Sequence, residues 1–350
     1  MVDFKRNTII DVMKGIGMLL VIIGHCVYFG GFIHNWIFSF HMPLFFILSG
    51  LFFRESSLPI LLKKKTKSLL FPYVIFFIIG LLITLLIPAW RNKLSFSGIA
   101  IDIYLGNPGI VNVSSVWFLV CLFVSMLLLH MVLQIKKLNK KLSYIILGVV
   151  VIFGFICGKL QNIVLLNLPC QRLPLDIDTA CVALLFIWAG YKFKDKIFKS
   201  VNQLEGKNLK QLRILLLGVG IIQILIVINN GRVNLYGMTY NNCILYIMEA
   251  IVGFSFICVF SVIISHFELI RNWLMWWGQN TIKILGVQAI AIRIYISMVH
   301  KFLGMDFQLY LLPPLYAAID CVFSIAFSGI VVMLFNYSVQ IIKSRRFTGV

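Results

Sequence analysis

Apolar side chains run along this chain in long blocks, separated by short polar connections. Ten blocks have the length of a tilted membrane-crossing helix, about 20 residues. They cover roughly 9–30, 33–53, 69–89, 115–135, 142–158, 175–192, 212–230, 242–266, 278–299 and 313–342. A bilayer gives a backbone no water to bond, so blocks of this kind predict helices whose hydrogen bonds close within the segment. The predicted fold class is all-α: a polytopic transmembrane helical bundle, one domain over 1–350 with no appended soluble domain. The longest polar connections, about 90–114 and 193–211, are loop-sized. No internal repeat is visible, which argues against a transporter built from duplicated halves.

Composition sharpens this picture. Of the 350 residues 61% are hydrophobic and 12% charged, about half the charged fraction of a soluble domain. The net charge of +19 does not signal nucleic acid, because the basic residues gather in alternate connections. Twenty-two of the 31 lysines and arginines lie in the N-terminal tail, in 54–68, 136–141, 192–213 and 267–277, and at the C-terminus. Six lie in the other set of connections, and Lys14, Lys283 and Arg293 fall inside blocks. By the positive-inside rule both termini are expected in the cytoplasm, with anionic membrane lipids as partners of the basic loops. None of the eight cysteines forms a CxxC pair, so no zinc or redox site is expected. The first block is broken by Asp11 and Lys14 and does not read as a cleavable signal peptide.

Ionisable residues inside such blocks are expensive and face a cavity or a partner. In "IIDVMKGIGMLLVIIGHCV", Asp11 and Lys14 stand at the i,i+3 spacing of an ion pair. Lys14 and His25 are eleven residues apart, so they share a helix face but are separated by about 16 Å. In "HNWIFSFHMPLFFILSG", His34 and His41 are seven apart and share a face, Pro43 removes a backbone donor, and Ser49 and Gly50 admit a close neighbour. His34 is expected nearer the outer interface than the other two. Packing alone accounts for His130, His266 and His300. Asp176, Asp178, Glu249, Lys283, Arg293 and Asp320 admit two readings, a cavity mouth that holds sugar hydroxyls or an inter-helix charge network. For Asp320 the structural reading is preferred.

These residues resemble the membrane acyltransferase-3 family, integral O-acyltransferases of bacterial surface sugars. "DVMKGIGMLLVIIGH" fits the family's Asp-x-x-Lys/Arg-Gly…His pattern, and "FSFHMPLFFILSGLFF" its Phe-His-Met-Pro-Leu-Phe-Phe-x-x-Ser-Gly. "SLLFPY", "VWFLVCLF", "LDIDTACVALLFIWAGY" and "WGQNTIKIL" follow in family order, so the likeness spans nearly the whole chain. One departure stands out: the histidine usual about ten residues after the "WG" glycine is Gln288 here, and glutamine cannot take a proton.

The resemblance implies an acyl-CoA co-substrate, usually acetyl-CoA, used from the cytoplasmic side of a bacterial plasma membrane. It also implies an acceptor hydroxyl on a surface or lipid-linked glycan. His25 is then the expected general base, with His41 orienting it or stabilising the oxyanion. Asp11 fixes Lys14, and Lys14, Lys63, Lys64 and Lys67 meet the donor. Asp178, Glu249, Gln288 and Arg293 are the expected acceptor-binding residues. No tightly bound cofactor and no metal is expected. Two rivals share these features: a proton-coupled transporter or flippase, and a non-catalytic acyl-CoA- or lipid-binding protein.

Overall fold

The computed structural model describes residues 8–26, 31–160, 172–303 and 314–348. Among them are ten helices long and apolar enough to cross a membrane, each over a predicted block. Helices α1 (Thr8–His25) and α2 (Phe32–Leu51) come first. The third span, Leu58–Leu86, joins α3 (Leu58–Lys65) and α4 (Phe71–Leu86) through a π-helical turn at Thr66–Leu70. A short α5 (Pro88–Arg91) and α6 (Phe96–Leu105) follow, and then the spans α7 (Trp117–Leu138), α8 (Lys140–Leu160) and α9 (Ile177–Lys192). After the amphipathic α10 (Lys194–Glu205) come α11 (Leu209–Asn230) and α12 (Cys243–Ser265). The last elements are α13 (Glu268–Gln279), α14 (Thr281–Leu303) and α15 (Pro314–Thr348). We call the end of the bundle at which α1 starts the basic end and the opposite one the far end.

Two boundaries differ from expectation for physical reasons. The third span begins eleven residues early, because Leu61 and Leu69 are buried and carry the helix through the lysine run. The π turn precedes Pro72, whose missing N–H cannot continue the α ladder. Lys63, Lys64 and Lys67 therefore sit on an exposed helical flank and not in a loop. The expected ninth span is cut at Asn280, whose side chain donates to the Trp276 carbonyl at 2.9 Å. Its first residues belong to α13, which buries Leu274 and Trp277 and exposes Leu269, Ile270 and Trp273. Helix α2 runs on as one element through Pro43.

Lipid tails are as apolar as leucine, so close packing rather than water exclusion holds such helices together. The tightest meeting is between α1 and α13. A Cβ on Gly15 would stand 2.1 Å from the Leu274 carbonyl oxygen, and one on Gly278 would stand 1.9 Å from that of Asp11. Leucine and isoleucine side chains cover the lipid-facing sides of α4, α8 and α11 instead, as at Leu82, Ile152 and Leu217. Helices α2 and α9 repeat the device. A Cβ on Gly50 would meet the Ile187 oxygen at 2.1 Å, and one on Gly190 the Ile47 oxygen at 2.0 Å.

At the far end a buried ion pair ties the connections together. The Arg172 guanidinium donates to Asp178 at 2.8 and 2.9 Å, to Asp176 at 3.1 Å and to the Tyr236 carbonyl at 2.8 Å. Burial opposes the Arg172 cation, but Asp178 and Asp176 outweigh it, so Arg172 holds its proton more tightly than an ordinary arginine.

Two outcomes follow from this packing. Gly278→Val should lower the unfolding free energy by about 2 kcal/mol or more, as overpacking against a backbone carbonyl does; thermal unfolding in detergent or nanodiscs measures it. Arg172→Met leaves two buried carboxylates without their cation and should cost about 3–5 kcal/mol. The double change Arg172→Met with Asp178→Asn should recover part of that loss in the same assay.

Candidate active site

His25 is the last residue of α1, and its Nδ1 lies 2.6 Å from the Val21 carbonyl oxygen. His41 does the same one helix away, with Nδ1 2.8 Å from the Ile37 carbonyl. A carbonyl oxygen only accepts, so each Nδ1 carries the hydrogen and donates it. Each neutral imidazole is thereby left with an Nε2 lone pair, the form a general base needs. His41 in this tautomer accepts at Nε2 and can donate to an oxyanion only when protonated. The three histidine rings of the hairpin surround Phe38. His34 is stacked on it at 3.9 Å between ring centroids, with His41 at 4.8 Å and His25 at 6.4 Å.

These rings open into a polar cavity of about 480 Å³ at the far end. Helices α1 and α2 supply the three histidines and Asn35, α7 supplies Trp117, and α14 supplies Arg293. The remaining wall comes from connections: Asn107 after α6, and Arg232, Asn234 and Tyr236 between α11 and α12. Each is fixed from behind. Asn107 donates to the Tyr236 hydroxyl, and Arg172 holds the Tyr236 carbonyl and lies 5.0 Å over its ring. Ser115, at the start of the α7 span, donates to the Leu285 carbonyl at 2.8 Å and so sets that wall against α14. Burial, with Asp176 nearby, pushes the Tyr236 phenol up to about 12, so it stays a neutral hydroxyl.

A second, apolar cavity of about 40 Å³ lies between α1, α2, α7 and α14. Met18, Val21, Phe45, Phe118 and Leu285 line it, and Met42 belongs to both cavities. Met18 is one turn from Lys14 on α1. Lys14 pairs with Asp11 at 3.6 Å and stands 4.9 Å over the Phe52 ring, and Asp11 also accepts from Gln279 at 3.5 Å. A polar group near the basic end, a small apolar cavity and a histidine-lined recess thus follow one another along α1.

Of the residues expected from sequence, His25, His41 and Arg293 line the polar cavity, and His34 joins them on equal terms. Asp178 serves the Arg172 clamp. Glu249 is fully buried and accepts from Asn230 at 3.1 Å. Gln288 is fully buried, and neither side-chain polar atom has a hydrogen-bond partner among the described residues. Along α14 it stands between Leu285 of the apolar cavity and Arg293 of the polar one. Lys63, Lys64 and Lys67 are exposed and line neither cavity. Arg232, Tyr236, Asn107 and Trp117 were not anticipated. The signal available was Arg232 itself, a cation in a connection on the side where basic residues are scarce.

The family model described as an acyltransferase domain matches residues 7–342, nearly the whole chain. No match is found among curated proteins or among solved structures. The match agrees with the first-helix and second-helix motifs that carry His25 and His41, and with a bundle of ten apolar helices. This chain belongs to the acyltransferase-3 family and is a multi-pass membrane acyltransferase.

Proposed function

We propose that this protein moves an acyl group, acetyl above others, from acyl-CoA to a hydroxyl of a surface or lipid-linked glycan. In this reading the basic end faces the cytoplasm of a bacterial cell and the polar cavity faces outward, as the lysine and arginine distribution favours. The observation that carries it is a polar cavity into which two imidazoles present bare Nε2 atoms, with a small apolar cavity on the other side of Met42.

The donor's pantetheine arm enters beside Lys14 and parts the apolar side chains between α1, α2, α7 and α14, while its nucleotide phosphates stay at the basic end. Exposed Lys63, Lys64 and Lys67 supply positive charge there. The acceptor hydroxyl sits in the polar cavity. His25 Nε2 takes its proton as the oxygen attacks the thioester carbonyl. The tetrahedral oxyanion then collapses, the carbon–sulfur bond breaks, and the departing thiolate receives the proton from His25. The thioester is already activated, so no acyl-enzyme is required. The Arg293 cation and the Gln288 amide, a buried donor in search of an acceptor, are the groups suited to the oxyanion. His41 keeps Phe38 and the hairpin in register and is the second base within the recess.

Release of free coenzyme A from acetyl-CoA, with purified protein in nanodiscs and a crude surface-glycan extract, tests this reading. His25→Ala should lower acceptor-dependent release by about 10²- to 10⁴-fold, the usual share of a general base. Equal release from both proteins would end the role of His25, and a transporter would give no release at all. Met42→Trp should fill the space between the two cavities and cut release at least about tenfold. Met42→Ala should widen it, raising the rate with propionyl-CoA relative to acetyl-CoA.

A further inference from the structure

The polar cavity carries more positive charge than recognition of a neutral sugar needs. Asn35, Asn107 and Asn234 offer the amides that bond hydroxyls, and Trp117 offers a ring for a sugar face. Beyond these, the charged lining residues are two cations, Arg232 and Arg293, and the other ionisable groups are the neutral Tyr236 and the three histidines. No aspartate or glutamate is among the described lining residues. Three described acids behind these walls have partners of their own. Asp176 and Asp178 hold Arg172, and Asp102 accepts the Ile110 N–H at 2.8 Å.

Arg232 is also presented by a built scaffold. Buried Glu249 accepts from the Asn230 amide, and the Asn230 side-chain oxygen accepts the Asn242 N–H at 3.0 Å. Asn241 then donates to the carbonyls of both Asn230, at 2.6 Å, and Arg232, at 2.8 Å. A buried carboxylate two turns inside α12 thus fixes the backbone of an exposed arginine at the cavity mouth. A solvated surface charge needs no such support. A guanidinium carried on a fixed backbone suits a planar anion, which it can bind through two parallel hydrogen bonds. Its field at the mouth also draws anions inward.

We infer that the acceptor is an anionic glycan, whose carboxylate or phosphate seats against Arg232 while the hydroxyl to be acylated faces His25. This inference rests on the acyltransferase reading and narrows its substrate class. Glu249 and Asn230 are positioning residues for the anion subsite.

The test splits a surface-glycan extract by anion exchange into neutral and acidic pools and offers each as acceptor for coenzyme A release. The acidic pool should support release and the neutral pool should not. Carboxyl reduction or dephosphorylation of the acidic pool should abolish it, and the treatment that does so names the anion. Arg232→Gln should raise KM for the acidic pool about tenfold with kcat changed less than about twofold, and Arg232→Lys should recover part of the loss. Added salt should raise KM of the wild type more than that of Arg232→Gln. Equal release with the neutral pool overturns the anionic subsite and leaves the transferase standing. If no pool supports release, binding of fluorescently labelled pools without acetyl-CoA decides the inference. Acidic-pool binding that Arg232→Gln weakens keeps the anionic subsite and sinks the transferase. Equal binding of both pools, or of neither, overturns the subsite. Thermal unfolding of each variant identifies any that fails to fold, and Arg232→Met then serves as the second variant.

Discussion

A carbonyl oxygen lodged where a side chain would otherwise stand is the contact on which the rest of this bundle depends. It occurs on both sides of the α1–α13 meeting, at Gly15 and at Gly278, and again between α2 and α9. Lipid offers no solvent to squeeze out, so helices stay together only where their backbones can come this near. Helix α1 carries Asp11, Lys14, Met18 and His25 in ascending order. Fixing its lower half against α13 therefore fixes the line along which polar group, apolar cavity and imidazole succeed one another. A glycine in a motif beside a lysine is easily read as part of the chemistry. Here it makes room for another helix.

The far end is organised by a different rule. Connections there have no intrinsic reason to be rigid, yet two of them form cavity walls. Two buried polar knots do the fixing: Arg172 with its pair of aspartates, and Glu249 with Asn230. Each places charge or amide groups behind the cavity so that others, Tyr236 and Arg232, face into it. Buried ion pairs are weak devices for stability but good ones for defining a single arrangement. At the far end the arrangement is what matters.

Much of this was legible in the sequence. The ten blocks became ten helices, because block length answers directly to bilayer thickness. His25 and His41 were visible as a pair, since an imidazole in an apolar helix needs a reason to be there. Ser49–Gly50 was readable as a close-approach site. Other features were hidden for physical causes. The lysine run 63–67 looked like a loop, but lysines are good helix formers and two buried leucines keep them helical. Asp178 and Glu249 looked like substrate ligands, while their partners, Arg172 and Asn230, sit where block patterns say nothing. Arg232 and Tyr236 reach the site through a connection, and no periodicity points from a connection to a cavity.

The two imidazoles draw their orientation from an unusual quarter. In many acid–base sites a carboxylate behind the ring fixes its tautomer, and that carboxylate can be lost by one substitution. Here the partner of His25 is the Val21 carbonyl, one turn back on its own helix. Carbonyls in the last turn of a helix lie at the negative end of its dipole. The helix terminus therefore stands in for the acid of a dyad. The ring and the fold are then one object: whatever frays the final turn of α1 turns the imidazole away, without touching another side chain in the cavity.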